Sequence, residues 1–137
     1  MEPNIWGPPA WLFLHSITFN YPKNPSENDK NNYNTFFNSL KYVIPCPICK
    51  EHYAKNLLKL PIRLNTRDDL IRWLIDIHNS VNKSNSKPVL SYQEVYDKYD
   101  KLYNQTDDFF NDNKLKICIA LAIILIIGFY VYKIEKN

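Results

Sequence analysis

Glycine is almost missing from this 137-residue chain, which holds two, Gly7 and Gly128. Phosphate-cradling loops of the Rossmann and P-loop kinds need several glycines for their turns, so the sequence argues against both. Cysteine is sparse as well. Cys46, Cys49 and Cys118 are too few, and odd in number, for a disulfide-stapled secreted mini-domain. A basic surplus is missing from most of the chain: the formal charge is +3, yet residues 1–113 carry thirteen residues of each sign. The excess lies in Lys114, Lys116, Lys133 and Lys136 against Glu135. Nucleic acid, gripped mainly through its phosphates, is therefore not an expected partner. There is no alternating strand pattern and no internal repeat. The first residues lack a basic stretch followed by an apolar one, so no signal peptide is expected.

What the chain does have is a long apolar run at its C-terminal end. Residues 117–132 read ICIALAIILIIGFYVY, without a charge or a strongly polar group. As a helix these sixteen residues would span about 24 Å, against about 30 Å for the hydrocarbon core of a bilayer. Lys114, Lys116 and Lys133 can snorkel, and the terminal tyrosines suit an aromatic belt. The competing reading is a buried core helix. The expectation is a single-pass anchor over 114–133, with a tail at 134–137 and the preceding residues on the cytosolic side.

The rest reads as helical. Pro8 and Pro9 suit a first turn, and Trp11, Leu14, His15 and Thr18 follow at helical spacing towards Tyr21-Pro22. A second segment covers roughly 33–44, and a third runs from Cys46-Pro47 to about Leu60. Thr66 and Asp69 form a capping pair before a stripe of Leu70, Trp73, Leu74, Ile77 and Val81. A fifth opens at Ser91 and Glu94 and continues through Val95, Tyr99 and Leu102. Residues 104–113 read as a polar linker. The fold class is all-α: a small bundle in residues 1–103, then the anchor.

The chemistry concentrates at Pro45-Cys46-Pro47-Ile48-Cys49. Two cysteines three apart at a helix start can close a disulfide within one turn, and the helix N-terminus favours the thiolate. Zinc sites use the same spacing, so both readings stand at this point. Zinc would need two further ligands from His15, His52 and His78, drawn from separate helices. A dithiol alone cannot pass electrons to oxygen, and with so little glycine an organic cofactor would have to be held by helices. Trp11 and His15 share one face of the first helix, and His78 and Asn82 share one face of the fourth. Flat groups of this kind stack on ring systems, and Lys87 nearby suits a diphosphate.

These segments, WGPxxWxxxH from Trp6 to His15, PCxxC with a histidine at His52, and HNxVN from His78 followed by Lys87-Pro88, closely resemble the Erv/ALR family of FAD-linked sulfhydryl oxidases. They stand in the family's order, over about residues 6–100. The resemblance implies a four-helix bundle with a short fifth helix, binding FAD and forming a homodimer. It implies oxidation of protein dithiols by oxygen, giving hydrogen peroxide. Cys46 and Cys49 would be catalytic, Cys46 as the interchange thiol and Cys49 as the flavin-proximal one. Gly7, Trp11, His15, Cys49, His52, His78, Asn79, Val81, Asn82 and Lys87 match cofactor-binding positions. Trp73 matches a helix-four aromatic and reads as packing.

The departures are informative. A second, structural disulfide found in many members would join positions that are Ile75 and Tyr92 here, and the tyrosine before the PC motif is Ile44. No shuttle pair exists, because Cys118 lies in the apolar run and reads as a small apolar residue. The electron donor is then another protein dithiol or a small thiol–disulfide carrier. Minimal size, the lost staple and an asparagine-rich composition fit a viral membrane or virion. The rival from another class is a zinc-stabilised, membrane-tethered helical interaction module.

Overall fold

A computed structural model describes residues 1–136, and the side chains of all of these except 105–112, 128, 130, 131 and 135. Five helices follow in order: α1 Pro3–Phe19, α2 Glu27–Val43, α3 Pro47–Lys59, α4 Arg67–Ser84 and α5 Tyr92–Glu135. The chain divides into two units, Met1–Tyr92 and Gln93–Asn137.

In the first unit α4 is the central element, with α1 and α3 packed on it and α2 packed on α3. Its start is the expected one: Thr66 Oγ accepts the Asp69 amide at 3.1 Å. The expected stripe is buried at Leu70, Trp73, Leu74 and Ile77, and Ile71 and Ile75 are buried too. A helix buried beyond one stripe needs neighbours on more than one side, which α1 and α3 supply. Each buried aliphatic side chain contributes about 1.5–3 kcal/mol. Trp73 is packing, as expected: its ring meets Phe37 edge-on at 5.0 Å, and its indole N–H donates to the Leu60 carbonyl at 2.9 Å. Tyr21 closes the same core, donating its hydroxyl to the Leu64 carbonyl at 3.0 Å while Arg67 donates to the Tyr21 carbonyl.

Two starts differ from expectation. Helix α1 begins at Pro3, so Pro8 and Pro9 lie inside it. Pro3 takes the first-turn position that proline favours. The missing N–H groups of Pro8 and Pro9 leave the Asn4 and Ile5 carbonyls without their helical donors, at exposed residues where water can replace them. Helix α2 begins at Glu27 rather than near Tyr33, because Ser26 and Asp29 form a complete capping box. The Ser26 amide donates to the Asp29 carboxylate at 2.8 Å, and the Asp29 amide donates back to the Ser26 hydroxyl at 3.2 Å. The first turns of α2 are polar, so apolar periodicity does not reveal them.

The positions of the absent staple are joined another way. Ile75 is buried on α4, and beside it Asp76 accepts the Tyr92 hydroxyl at 2.8 Å and Arg63 at 2.6 Å. The Arg72 guanidinium lies 4.9 Å over the Tyr92 ring. Tyr92 is thus held by a hydrogen bond to a carboxylate and by a cation–π contact, and the carboxylate is itself fixed by an ion pair. The bond to Asp76, first, and then burial push the Tyr92 phenol above its ordinary range.

The second unit is one helix. The expected short fifth helix, polar linker and apolar segment are consecutive parts of α5, 44 residues long and unbroken through 104–113. No glycine or proline interrupts that stretch, and a run of polar residues does not by itself end a helix. Within α5, residues Asn113–Ile134 have a mean hydropathy of 2.5 and none of that window is buried. At 1.5 Å per residue these 22 residues reach about 33 Å, long enough to cross a hydrocarbon core.

Tyr53 gives a test of the core. It is buried on α3 and donates its hydroxyl to the Phe37 carbonyl at 3.0 Å. Burial pushes its phenol far above the ordinary range, so the folded state holds it neutral. The folded pKa is raised, so this stabilisation is full below about pH 10 and is lost as the pH rises beyond it. Tyr53→Phe is expected to cost about 1 kcal/mol at neutral pH. Thermal melts from about pH 8 to pH 11 should show a shallower alkaline loss for the variant than for the parent chain.

Candidate functional site

The expected site residues fall into three groups. The first is a cluster of flat side chains between α1 and α4. Trp11 and His78 stack face to face, with centroids 3.9 Å apart and planes within 5°. His15 is buried below them and shares a hydrogen bond with His78, Nε2 to Nδ1 at 3.1 Å. One α-helical turn separates Trp11 from His15, so both reach the same face of α4. Together the rings present a preorganised flat wall.

Gly7 and Trp6 precede this cluster on α1. Gly7 lies inside α1 with an ordinary φ, and a Cβ built on it would meet nothing within 4 Å. The glycine therefore serves neither a turn nor a close contact within the chain. Next to it the Trp6 indole N–H is buried and has no hydrogen-bond partner among the described residues. A buried donor without an acceptor costs about 1–3 kcal/mol, a penalty that a ligand acceptor would remove. Open space at Gly7, an orphaned donor at Trp6 and a flat ring wall fit a planar, polar-edged cofactor such as FAD.

The second group is the disulfide. Cys46 and Cys49 are bonded, with Cα atoms 5.1 Å apart. Cys46 is the N-cap of α3 and Pro47 its first residue, the position where proline is preorganised. The Cys49 amide donates to Cys46 Sγ at 3.2 Å. Just before, the Cys46 amide donates to the Ile44 carbonyl at 2.8 Å and folds Pro45 into a tight turn. Both cysteines are half-buried. With the pair oxidised they cannot serve a metal as thiolates. Among the described residues no cluster of three or more candidate ligands exists, so the zinc rival finds no support.

The third group is the turn after α4. Val81 and Asn82 are half-buried in its last turns. The Lys87 amide donates to the Asn82 carbonyl at 2.8 Å and the Ser86 amide to the Lys83 carbonyl at 3.2 Å. That is the Schellman pattern, and Ser86 takes its left-handed position with φ 53°. Asn79 holds the strand of chain beyond it: Nδ2 donates to the Leu90 carbonyl at 2.8 Å, and Oδ1 accepts the Leu90 amide at 3.1 Å. The side chain expected to contact a cofactor thus first positions the segment that carries Lys87. That clamp has no signature in the sequence. Lys87 itself is exposed. His52 is exposed on α3 and makes no hydrogen bond or ring contact with the other site residues among those described. Cys118 is a free, exposed cysteine of α5.

Comparison with known proteins now adds to this geometry. The model of the Erv1 / Alr family matches residues 8–101. A probable FAD-linked sulfhydryl oxidase of Acanthamoeba polyphaga mimivirus is 44% identical over 104 residues, 74% of this chain and 73% of that protein. An FAD-linked sulfhydryl oxidase of African swine fever virus (isolate Tick/Malawi/Lil 20-1/1983) is 31% identical over 103 residues, 74% of this chain and 82% of that one. Among solved structures, the FAD binding domain of Erv1 from Saccharomyces cerevisiae superposes with a TM-score of 0.66 at 29% identity. The match covers 68% of this chain and 89% of that domain.

The turn after α4 can be tested in both directions. Ser86→Gly removes a left-handed strain and should stabilise the unit by about 0.5–1 kcal/mol, read as a higher midpoint in urea. Asn79→Ala removes both bonds to Leu90, and exchange of the Leu90 amide should accelerate about tenfold or more by hydrogen-exchange mass spectrometry.

Proposed function

This chain belongs to the Erv1/Alr family, and we infer that it is an FAD-linked sulfhydryl oxidase that forms disulfide bonds in protein thiols. The observation that carries the reading is the Cys46–Cys49 disulfide at the start of α3, in a unit with a flat, partly buried ring wall and an orphaned donor. FAD, when bound, takes two electrons from a dithiol and delivers them to oxygen, giving hydrogen peroxide.

The chain's own residues do the thiol chemistry. A substrate thiolate attacks Cys46 Sγ, the Cys46–Cys49 bond breaks, and Cys49 leaves as a thiolate in the first turn of α3. That turn is the positive end of the helix dipole, and it lowers the energy of the departing thiolate. A second substrate thiol attacks the mixed disulfide, releasing oxidised substrate and Cys46. The pair then holds two electrons. Gly7, Trp6, Trp11, His15 and His78 are proposed to hold FAD on one side. Val81, Asn82, Lys87 and the segment held by Asn79 are proposed to hold it on the other, with His52 reaching it from α3.

We assign residues 1–103 to the oxidase and 114–133 of α5 to a membrane tether, joined through 104–113. The oxidase faces the cytosol, on a viral membrane or virion. Supporting the tether are the length, hydropathy and exposure of Asn113–Ile134; supporting the viral setting are the two viral relatives. A homodimer is supported by α1, where Ile5, Leu12 and Phe13 form an exposed apolar stripe at helical spacing.

Cys49→Ser is expected to abolish oxygen uptake with dithiothreitol while the purified protein keeps its yellow flavin spectrum. Undiminished uptake by that variant would overturn the assignment.

A further inference from the structure

Several exposed apolar residues near the disulfide are not among those proposed to hold the cofactor. Tyr42 and Val43, in the last turn of α2, are 69% and 65% exposed, and Ile48, between the cysteines, is 65% exposed. Pro45 and Pro47 are exposed as well. The Ile44–Cys46 turn brings the end of α2 beside the start of α3, and the two helices pack together. Five exposed apolar residues, from Tyr42 to Ile48, therefore flank the disulfide along the chain. Single exposed apolar residues need no explanation, but a contiguous set around a reactive bond does.

Charge adds a second constraint. Lys41 lies with Nζ 5.1 Å over the Tyr42 ring, and Lys50 follows Cys49 directly. Neither lysine pairs with a carboxylate among the described residues. The nearest acid in sequence, Glu51, is taken by Lys55 at 2.6 Å. The rim of the apolar set is thus positive, and the α3 N-terminus adds to it.

We propose that residues 41–50 form a docking collar for a protein dithiol whose cysteines are flanked by apolar side chains and, beyond these, by carboxylates. This rests on the oxidase reading above and names its substrate class. The apolar flanks cover Tyr42, Val43 and Ile48, and the carboxylates face Lys41 and Lys50. One substrate thiol is then held against Cys46 Sγ. Two substrate thiols become a disulfide, and their two electrons and two protons leave with oxygen as hydrogen peroxide. Dithiothreitol, too small to span the collar, reports the chemistry without the docking.

The test is oxygen uptake by the full chain in detergent with FAD, using three reductants. These are dithiothreitol, a reduced Cys-Xaa-Xaa-Cys peptide flanked by leucine and aspartate, and its match flanked by serine and lysine. The acidic apolar peptide should exceed its match in kcat/KM by about tenfold, the ratio that 1.4 kcal/mol of contact supplies. Tyr42→Ser/Val43→Ser should bring the two peptides within about twofold and leave dithiothreitol turnover unchanged. Lys41→Glu should lower kcat/KM for the acidic peptide and raise it for the basic one. Equal kcat/KM for both peptides with the parent chain overturns the proposal while leaving the oxidase reading intact. A double variant that sediments as a smaller species with the peptide preference unchanged assigns the patch to a second copy, and also overturns it. Absence of uptake even with dithiothreitol removes the oxidase reading itself.

Discussion

Helix α4 is the element on which the first unit is built. From Leu70 to Ile77 its side chains are buried on more than one side, and α1 and α3 each pack against it. The same helix carries His78, which holds Trp11 in a parallel stack and His15 by a hydrogen bond. It also carries Asn79, which ties down the chain as far as Leu90. Packing and site are therefore not separable on this helix: the residues that fill the core stand one or two positions from those that line the ring wall. Shifting α4 by a fraction of a turn would disturb both together.

The reactive pair is placed differently. It sits at the start of α3, a helix that packs on α4 and is tied to α2 by the bond from Tyr53 to the Phe37 carbonyl. Residues 44–47 need only a tight turn and a proline-started helix, both local features. A rigid ring wall and a locally specified bond at a helix start suit a protein that must keep a planar group still while exchanging bonds with a mobile partner.

Much of this was legible in the sequence, and for identifiable reasons. The α4 start was readable because Thr66 and Asp69 precede a strongly periodic stripe, and the disulfide because two cysteines three apart follow a proline. The start of α2 was not, since the apolar pattern begins a turn and a half after the helix does, although Ser26 and Asp29 carried the signal. The start of α1 lies earlier than Pro8 and Pro9 suggest, because Pro3 offers the same cue and takes the first-turn position. The continuity of α5 through its polar stretch could not be read, because polar residues without glycine or proline suit a loop and an exposed helix equally. The left-handed Ser86 and the clamp from Asn79 to Leu90 depend on backbone geometry that no residue type announces.

The cluster of Arg63, Asp76, Tyr92 and Arg72 has a consequence for how such a protein lives with its substrate. A thiol oxidase works immersed in the reductants it consumes. Any structural cross-link made of sulfur would stand in equilibrium with them, so heavy demand would loosen the framework. Here the corresponding join is made of oxygen, nitrogen and an aromatic face, none of which exchanges with thiols. The single disulfide among the described residues is the one that is meant to open. Supply of reductant can therefore set how fast the protein turns over without touching whether it stays folded.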